Sequence, residues 1–429
     1  MIALAQLIPR NGRGWRAVNN QFQCFDVNND GRCPLEYLST GGSISLPNSC
    51  LNPINVGKIG TEGKCLDLLI VDRPLLDKVV AYDNDNTQPA VIVDGKTFRT
   101  FLPDGVYTGQ VTDMSYVIGG MNNFNNEISY WDTSNVTNME GMFYLANAFN
   151  KPVSFDTSKV TNMSAMFATT NAFNSPVSID TSSVTNMEFM FYQAKVFNNP
   201  VSFNTINVTS VGAMFRETPV FDQVINFDTR NVTNFGAMFR DAKRFNQTVT
   251  LNTSKGTNMN AMFYGTDLFN KPLSFDTSSV LTMDGMFAYA KAFNQVLTFD
   301  TINVTSMFIM FQATLAYNKA INFNSGNVTN MDSMFNSAAA MNSPITLNTS
   351  KVTNMYGMFN LANNFNQPLN FNTGNVTNMI GMFNRATKFN QDLSAWCVSK
   401  IGTKPSLFDS TTTAWVKTSR QPKWGVVCP

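Results

Sequence analysis

Along residues 149–172 the apolar and polar positions follow two different periods in succession. Val153 and Phe155 alternate with Ser154 and Asp156, the period of two that predicts a short strand. Pro152 stands just before it, where a missing N–H costs little. From Val160 the period lengthens. Val160, Met163, Met166 and Phe167 fall at i, i+3, i+6 and i+7, one stripe of a short helix. A small residue follows at the next turn, as in Ala146, Thr170, Ala194, Thr218 and Ala242, and would let neighbouring helices approach. The segment therefore predicts strand, turn, short helix, turn.

The same pattern returns without a slip. Met142-Phe143 is followed by Met-Phe pairs starting at 166, 190, 214, 238, 262, 286, 310, 334, 358 and 382, each 24 residues after the last. A fixed period of this length predicts an array of stacked units. One unit alone cannot fold: burying about six large apolar side chains offsets only part of the conformational entropy lost in ordering the segment. The expected fold class is an α/β repeat solenoid. Residues 1–110 read as an N-terminal arm and cap, 111–396 as about twelve repeats of 24–25 residues, and 397–429 as a C-terminal cap. Strands stack about 4.8 Å apart and helices about 8–10 Å, so the stack is expected to bend with its sheet on the inner side. The ends are degenerate, as caps should be: Val117-Ile118 replaces Met-Phe, the coil holding Ile128 and Trp131 has one extra residue, and Trp396-Cys397 closes the series.

Three polar rows come with the repeat. An asparagine follows the phenylalanine at 150, 174, 198, 246, 270, 294, 318, 342, 366 and 390, with Asp222 as the exception. An amide both donates and accepts, so this row is expected to bond the adjacent coil in a buried ladder. Thr157, Thr181, Thr205 and Thr229 could instead form a surface row that orders water. Asn135, Asn207, Asn231, Asn303, Asn327 and Asn375 open Asn-x-Thr sequons, which matter only on a eukaryotic secretory route.

Composition changes the functional picture more than the fold. The 429 residues contain no histidine, which removes Ser-His-Asp and Cys-His catalysis, histidine metal sites and histidine pH switching. A formal net charge of +1 argues against a nucleic-acid binder that neutralises phosphates. Cys24, Cys33, Cys50 and Cys65 lie near the start and Cys397 and Cys428 near the end, without a CxxC pair, so they are expected to staple the two caps as disulfides outside a reducing compartment. No run approaches the roughly 18 apolar residues of a membrane-spanning helix. The opening Met1-Ile-Ala-Leu-Ala-Gln-Leu-Ile is too short for a signal peptide. It reads either as the A-x-A end of a longer one, at Ala3-Leu4-Ala5, or as an apolar arm ahead of Arg10, Arg13 and Arg16.

Candidate chemistry is sparse. Asp26, Asn28 and Asp30, with Gly31, start like a calcium loop, although Tyr37 occupies the position of the closing glutamate and Glu36 comes one residue early. Asp94-Gly-Lys-Thr97 ends like a phosphate loop but has Ala90 where the earlier glycine belongs. Residues 212–244 concentrate charge, with Arg216, Glu217, Asp222, Asp228, Arg230, Arg240, Asp241, Lys243 and Arg244, whereas the longer stretch 245–380 holds ten charges. Arg216, Arg240, Lys243 and Arg244 are the candidate partner-binding residues, against the plainer alternative of a solvated face.

The run FNxPVSFDTSxVTNMxxMFxxA resembles the BspA-type leucine-rich-repeat surface proteins, a class that includes mycoplasma lipoprotein repeats and occurs in large DNA viruses of algae and protists. The lead-in Leu69–Val79, the segment Val111–Tyr116, and the ending Phe389–Val398 with Pro422–Pro429 are similar to how such arrays begin and end. The resemblance covers 65–429 and departs from the usual 25-residue WDVSNVTNM unit in its 24-residue FDTS coils. It implies a leucine-rich-repeat-like right-handed solenoid without a cofactor, and non-enzymatic binding or adhesion to a protein partner at a cell surface. The alternative is a structural component of a large assembly, such as a virus outer capsid or vertex. A polysaccharide lyase is a poorer match, because nearly identical coils leave none that looks like an active site.

Overall fold

The computed structural model describes residues 13–18, 21–26, 48–102, 104–415 and 418–427. Strands β1 (Arg13–Val18) and β2 (Gln21–Asp26) form an antiparallel hairpin. After helix α1 (Asn48–Leu51) and two single 3-10 turns, strand β3 (Leu69–Ile70) leads into helix α2 (Arg73–Asn84). The side chain of Asp72 accepts the Leu75 N–H at the start of α2, and a proline sits in its first turn, both helix-start signals. Leu76, Val79 and Val80, spaced i, i+3 and i+4, are fully buried in the same core as the first coils. Strands β4 (Ile92–Val93) and β5 (Lys96–Thr97) pair across Asp94-Gly95, both with positive φ. The Asp-Gly-Lys-Thr motif is thus a tight hairpin turn, not a phosphate loop. Strand β6 (Val106–Tyr107) pairs in parallel with β3 and hands the chain to the repeats.

From there to the end the molecule is a repeat protein. Parallel bridges join Asp113 to Asn138 and then proceed in steps of 24 residues from Asn138 through Asn162, Asn186, Ser210, Asn234 and onward to Asn378. The first step, 25 residues long, is the extra residue expected for the coil of Trp131. Among the described residues only β7 (Ile321–Phe323) and β8 (Ile345–Leu347) are full strands in the coils; elsewhere the Val-Ser-Phe segment makes single bridges such as Val153–Val177.

The short helix is not there. In its place runs a chain of β-turns, which corrects the α/β description of the coils. Met166 N–H bonds back to Met163 O at 3.3 Å and Ala168 N–H to Ala165 O at 2.9 Å. The alternate N–H groups, of Met163, Ala165 and Phe167, donate instead to Asn186, Glu188 and Met190 of the next coil at 2.8–3.1 Å. A helix points every N–H along its own axis and could offer none to a neighbouring coil. The turns require a left-handed residue at two positions of each coil, such as Ala165 and Thr169, or Ile309 and Ala313. Outside glycine that conformation costs about 1–2 kcal/mol per residue, and the inter-coil bonds hold it. Backbone bonds thus join neighbouring coils on the turn side as well as the strand side.

The stripe itself is buried as expected. Val160, Met163, Met166 and Phe167 are fully enclosed, as are their counterparts in most coils. Phe143 heads a column of phenylalanines that runs one per coil to Phe383, with ring centroids 5.2–5.9 Å apart and nearly parallel planes. A second column runs from Phe124 to Tyr317, is broken at Met341, and resumes at Phe365 and Phe389. At the C-terminal end Phe408 and Trp415 turn edge-on to Phe383, and Trp415 also to Phe389, closing both columns.

Tyr317 places a phenol where its column otherwise has phenyl rings. Its Oη has no hydrogen-bond partner among the described residues, and burial drives its pKa far upward. An orphaned buried hydroxyl is costly. Tyr317→Phe is therefore expected to raise unfolding stability by about 1 kcal/mol or more in urea denaturation. A loss of stability would show that the hydroxyl is satisfied after all.

Cys50 and Cys65 form a disulfide in the N-terminal cap, beside Leu68, Ile70 and Tyr107. Cys397 is also disulfide-bonded. The side chains of Cys24, Cys33 and Cys428, and the calcium loop at Asp26, Asn28 and Asp30, lie outside the described residues apart from the backbone of β2.

Candidate interaction surface

The polar rows do different work from one another. In the asparagine row each side-chain Oδ1 accepts the backbone N–H of its counterpart one coil on, from Asn174 N–H to Asn150 Oδ1 through Asn390 N–H to Asn366 Oδ1, at 2.8–3.0 Å. The ladder is real but lies half-exposed along an edge, not buried. Only its acceptor passes between coils, so the carboxylate of Asp222 substitutes without a break. Arg420 closes the last rung on Asn390.

The threonine row is a correction in the opposite sense. Thr157, Thr181, Thr205 and Thr229 are buried, and each hydroxyl donates to a carbonyl of the next coil at 2.6–3.0 Å. They face no solvent and cannot order surface water. The sequon amides are committed as well. The Nδ2 atoms of Asn135, Asn207, Asn231, Asn303, Asn327 and Asn375 donate to carbonyls of the preceding coil at 2.7–3.0 Å. A glycan on any of them would break a rung.

What varies from coil to coil is the turn face. Where other coils carry Glu188-Phe189 or Phe308-Ile309, two adjacent coils have Gly212-Ala213 and Gly236-Ala237. A Cβ at Gly212 would stand 2.7 Å from Asn234 Nδ2, and one at Gly236 the same distance from Asn258 Nδ2. The glycines thus let these amides lie flat: Asn258 Nδ2 donates to Asn234 Oδ1 at 2.9 Å, and Asn234 Nδ2 to Glu188 Oε1 at 2.7 Å. The missing side chains leave a shallow depression of about 320 Å³, bounded by Phe189 at one end and by Arg216 and Arg240 along a side.

Both arginines are held against rings. The guanidinium of Arg216 lies 5.2 Å from the Tyr192 centroid and that of Arg240 lies 4.4 Å from Tyr264. Arg216 pairs with Glu217 at 3.1 Å, and Arg240 approaches Asp241 at 3.6 Å. Burial acts to raise the Glu217 pKa, but the Gln193 hydrogen bond and the Arg216 charge outweigh it and hold it low. The patch is therefore close to neutral, with planar donors fixed at its rim. Lys243 is engaged by Asp241 at 2.6 Å, outside the depression, and Arg244 is exposed away from it. The four candidate residues thus divide: Arg216 and Arg240 come together, Lys243 and Arg244 do not join them. Glu188, Phe189, Asn234 and Asn258 were not anticipated, although the consecutive Gly-Ala pairs marked the place.

Among the described residues, no group of three or more acidic or cysteine side chains is placed to hold a metal, and no helix is long and apolar enough to cross a membrane. The family model described as a Mycoplasma protein of unknown function, DUF285, matches residues 104–202, 153–250, 177–274, 199–298, 248–347 and 346–421. The chain belongs to the DUF285 family. The matches beginning at 153 and 177 are offset by one 24-residue coil, the period of the bridges. DUF285 similarity starts at 104 and leaves all but the last residues of the N-terminal cap outside it. No curated protein and no solved structure matches the chain.

Proposed function

We propose that this chain is a non-enzymatic repeat protein that binds a protein partner at a cell surface through the turn face around Arg216 and Arg240. On this reading the coils form a right-handed, leucine-rich-repeat-like solenoid of the BspA type. The depression carries the proposal: two consecutive Gly-Ala coils open it on the variable turn face, and its two guanidinium planes are already held by Tyr192 and Tyr264. Pre-held arginines and an exposed phenylalanine are the side chains that dominate protein interfaces, because little rotamer freedom remains to be lost. The Cys50–Cys65 disulfide supports an extracellular or virion-surface location. The low net charge speaks against nucleic acid, and the lack of histidine against most acid–base catalysis.

A second reading, a structural strut in an outer capsid or vertex, is favoured by the unbroken run of parallel bridges from Asp113 to Asn378, which makes the coils one continuous stack. The first reading is tested in one experiment. Labelled chain is added to intact cells or particles of the native source, as wild type, as Arg216→Glu/Arg240→Glu and as Arg244→Glu. The double variant is expected to lose binding by about tenfold or more and the single variant to keep it. Unchanged binding by the double variant would end the proposal.

A further inference from the structure

The coils carry a second, longer period. Leu-Asn-Thr-Ser-Lys stands at 251–255 and again at 347–351, and Ile-Asn-Val-Thr-Ser at 206–210 and again at 302–306, so a block of four coils repeats after 96 residues. In that register Gly212-Ala213 corresponds to Phe308-Ile309, and Arg216 to Gln312. The same coil is thus built with or without the Phe308 ring, which is exposed. An exposed aromatic group that the stack does not require marks a contact surface when it belongs to a patch. Here the patch adjoins the depression. Arg240 lies over Tyr264 at 4.4 Å, and Tyr264 meets the exposed Tyr289 ring with centroids 5.2 Å apart. A Cβ at Gly285 would stand 3.6 Å from Tyr264 Cδ2 and 3.4 Å from Ile309 Cδ1, so the ring and the isoleucine flank one glycine. Asp284, the carboxylate among them, is engaged: its Oδ1 accepts from Ser306 Oγ at 2.6 Å and from the Phe308 N–H at 2.9 Å.

We propose that the turn face from Arg240 to Phe308 docks an extended segment of a protein partner, with a carboxylate side chain on Arg240 and apolar side chains on Tyr264, Tyr289, Ile309 and Phe308. The assignment rests on the turn face being a binding surface, as proposed above, and adds what the partner must carry. Charge selects the first contact. Arg216 is matched by Glu217, through Nε at 3.2 Å and Nη2 at 3.1 Å. Arg240 is not matched: Asp241 stands 3.6 Å away and is held by Lys243 at 2.6 Å, so two cations share one carboxylate. The Arg240 guanidinium makes no hydrogen bond among the described residues, although 34% of the side chain is exposed. A carboxylate is the acceptor that such a planar fork fits. Aromatic rings fixed beside it are the groups that dominate interfaces. Distance sets the spacing of the two contacts. Phe308 lies three coils beyond Arg240, about 14 Å along the stack at the usual strand spacing. That is the reach of about four extended residues.

The test is panning of a phage-displayed library of random twelve-residue peptides on the full chain. Peptides with Asp or Glu about four residues from Leu, Phe, Tyr or Trp are expected to be enriched. A synthetic peptide of the enriched sequence is expected to bind about tenfold more weakly to Arg240→Gln, to Phe308→Gly and to Tyr289→Ser, and unchanged to Arg244→Gln. Both ring deletions copy residues that other coils already carry at the same position, Gly212 and Ser337, so the stack is kept. No enrichment, enrichment of basic or uncharged peptides, or indifference to Arg240→Gln or to both ring variants would overturn the assignment. It also fails separately from the function proposed above. If Arg216→Glu/Arg240→Glu loses binding to the native source while Phe308→Gly/Tyr289→Ser keeps it, the depression binds a partner and the aromatic patch does not.

Discussion

Replacing Phe263 with alanine is expected to remove about 3–5 kcal/mol of unfolding stability, the range for deleting a buried phenyl ring. The ring sits mid-column, 5.7 Å from Phe239 and 5.8 Å from Phe287 along the stack. It also lies 4.3 Å from Phe269 and 6.4 Å from Phe275 within its own coil. In a linear array each coil is stabilised only by its neighbours. The cavity should therefore do more than lower a midpoint: it weakens the one interface through which the two halves cooperate. Urea denaturation is expected to change from a single transition to two, while Leu268→Ala, at a neighbouring exposed position, leaves the curve nearly unaltered. A loss below about 1 kcal/mol for Phe263→Ala would mean that the columns are not what holds the coils together.

That column was legible because burial leaves a direct trace in sequence. Met163, Met166 and Phe167 recur every 24 residues, and no polar residue can replace them inside a close-packed stack. The backbone joining them was not legible. A stripe at i, i+3, i+6 and i+7 suits a helix, but a chain of β-turns, each closed from i to i+3, presents the same positions to the core. What separates the two is the left-handed residue in each turn, for which glycine is the usual marker. Here the first such position holds glycine only at 141, 285, 357 and 381, and elsewhere alanine, phenylalanine, isoleucine or serine. The inter-coil bonds impose that conformation, and they belong to the stack, not to the local sequence. The rows show the same division. The acceptor role of the Asn150 row followed from side-chain chemistry, whereas the burial of Thr157 depended on which carbonyl the next coil brings within reach. At the candidate surface, the charge cluster pointed to Arg216 and Arg240. Their grouping with Asn234 and Asn258 came from two glycines whose meaning is steric and appears only when coils are stacked.

Breaking the Cys50–Cys65 disulfide should have a large effect confined to one end. The bridge closes a loop with a sequence separation of 15, for which chain entropy alone gives about 3 kcal/mol. The affected unit is the cap, because Cys50 and Cys65 pack with Leu68, Ile70 and Tyr107 and make no part of the phenylalanine columns. Cys50→Ser/Cys65→Ser is therefore expected to strip hydrogen-exchange protection from Leu69, Ile70, Val106 and Tyr107, and then from the first coil that they cover. Amides such as Phe263 and Phe287, many coils away, should keep theirs, since nearest-neighbour coupling does not carry an end defect to the middle. Protection lost equally along the chain would instead require one cooperative unit from cap to cap. Fraying from the N-terminal end would leave the Arg216–Arg240 depression, several coils away, formed.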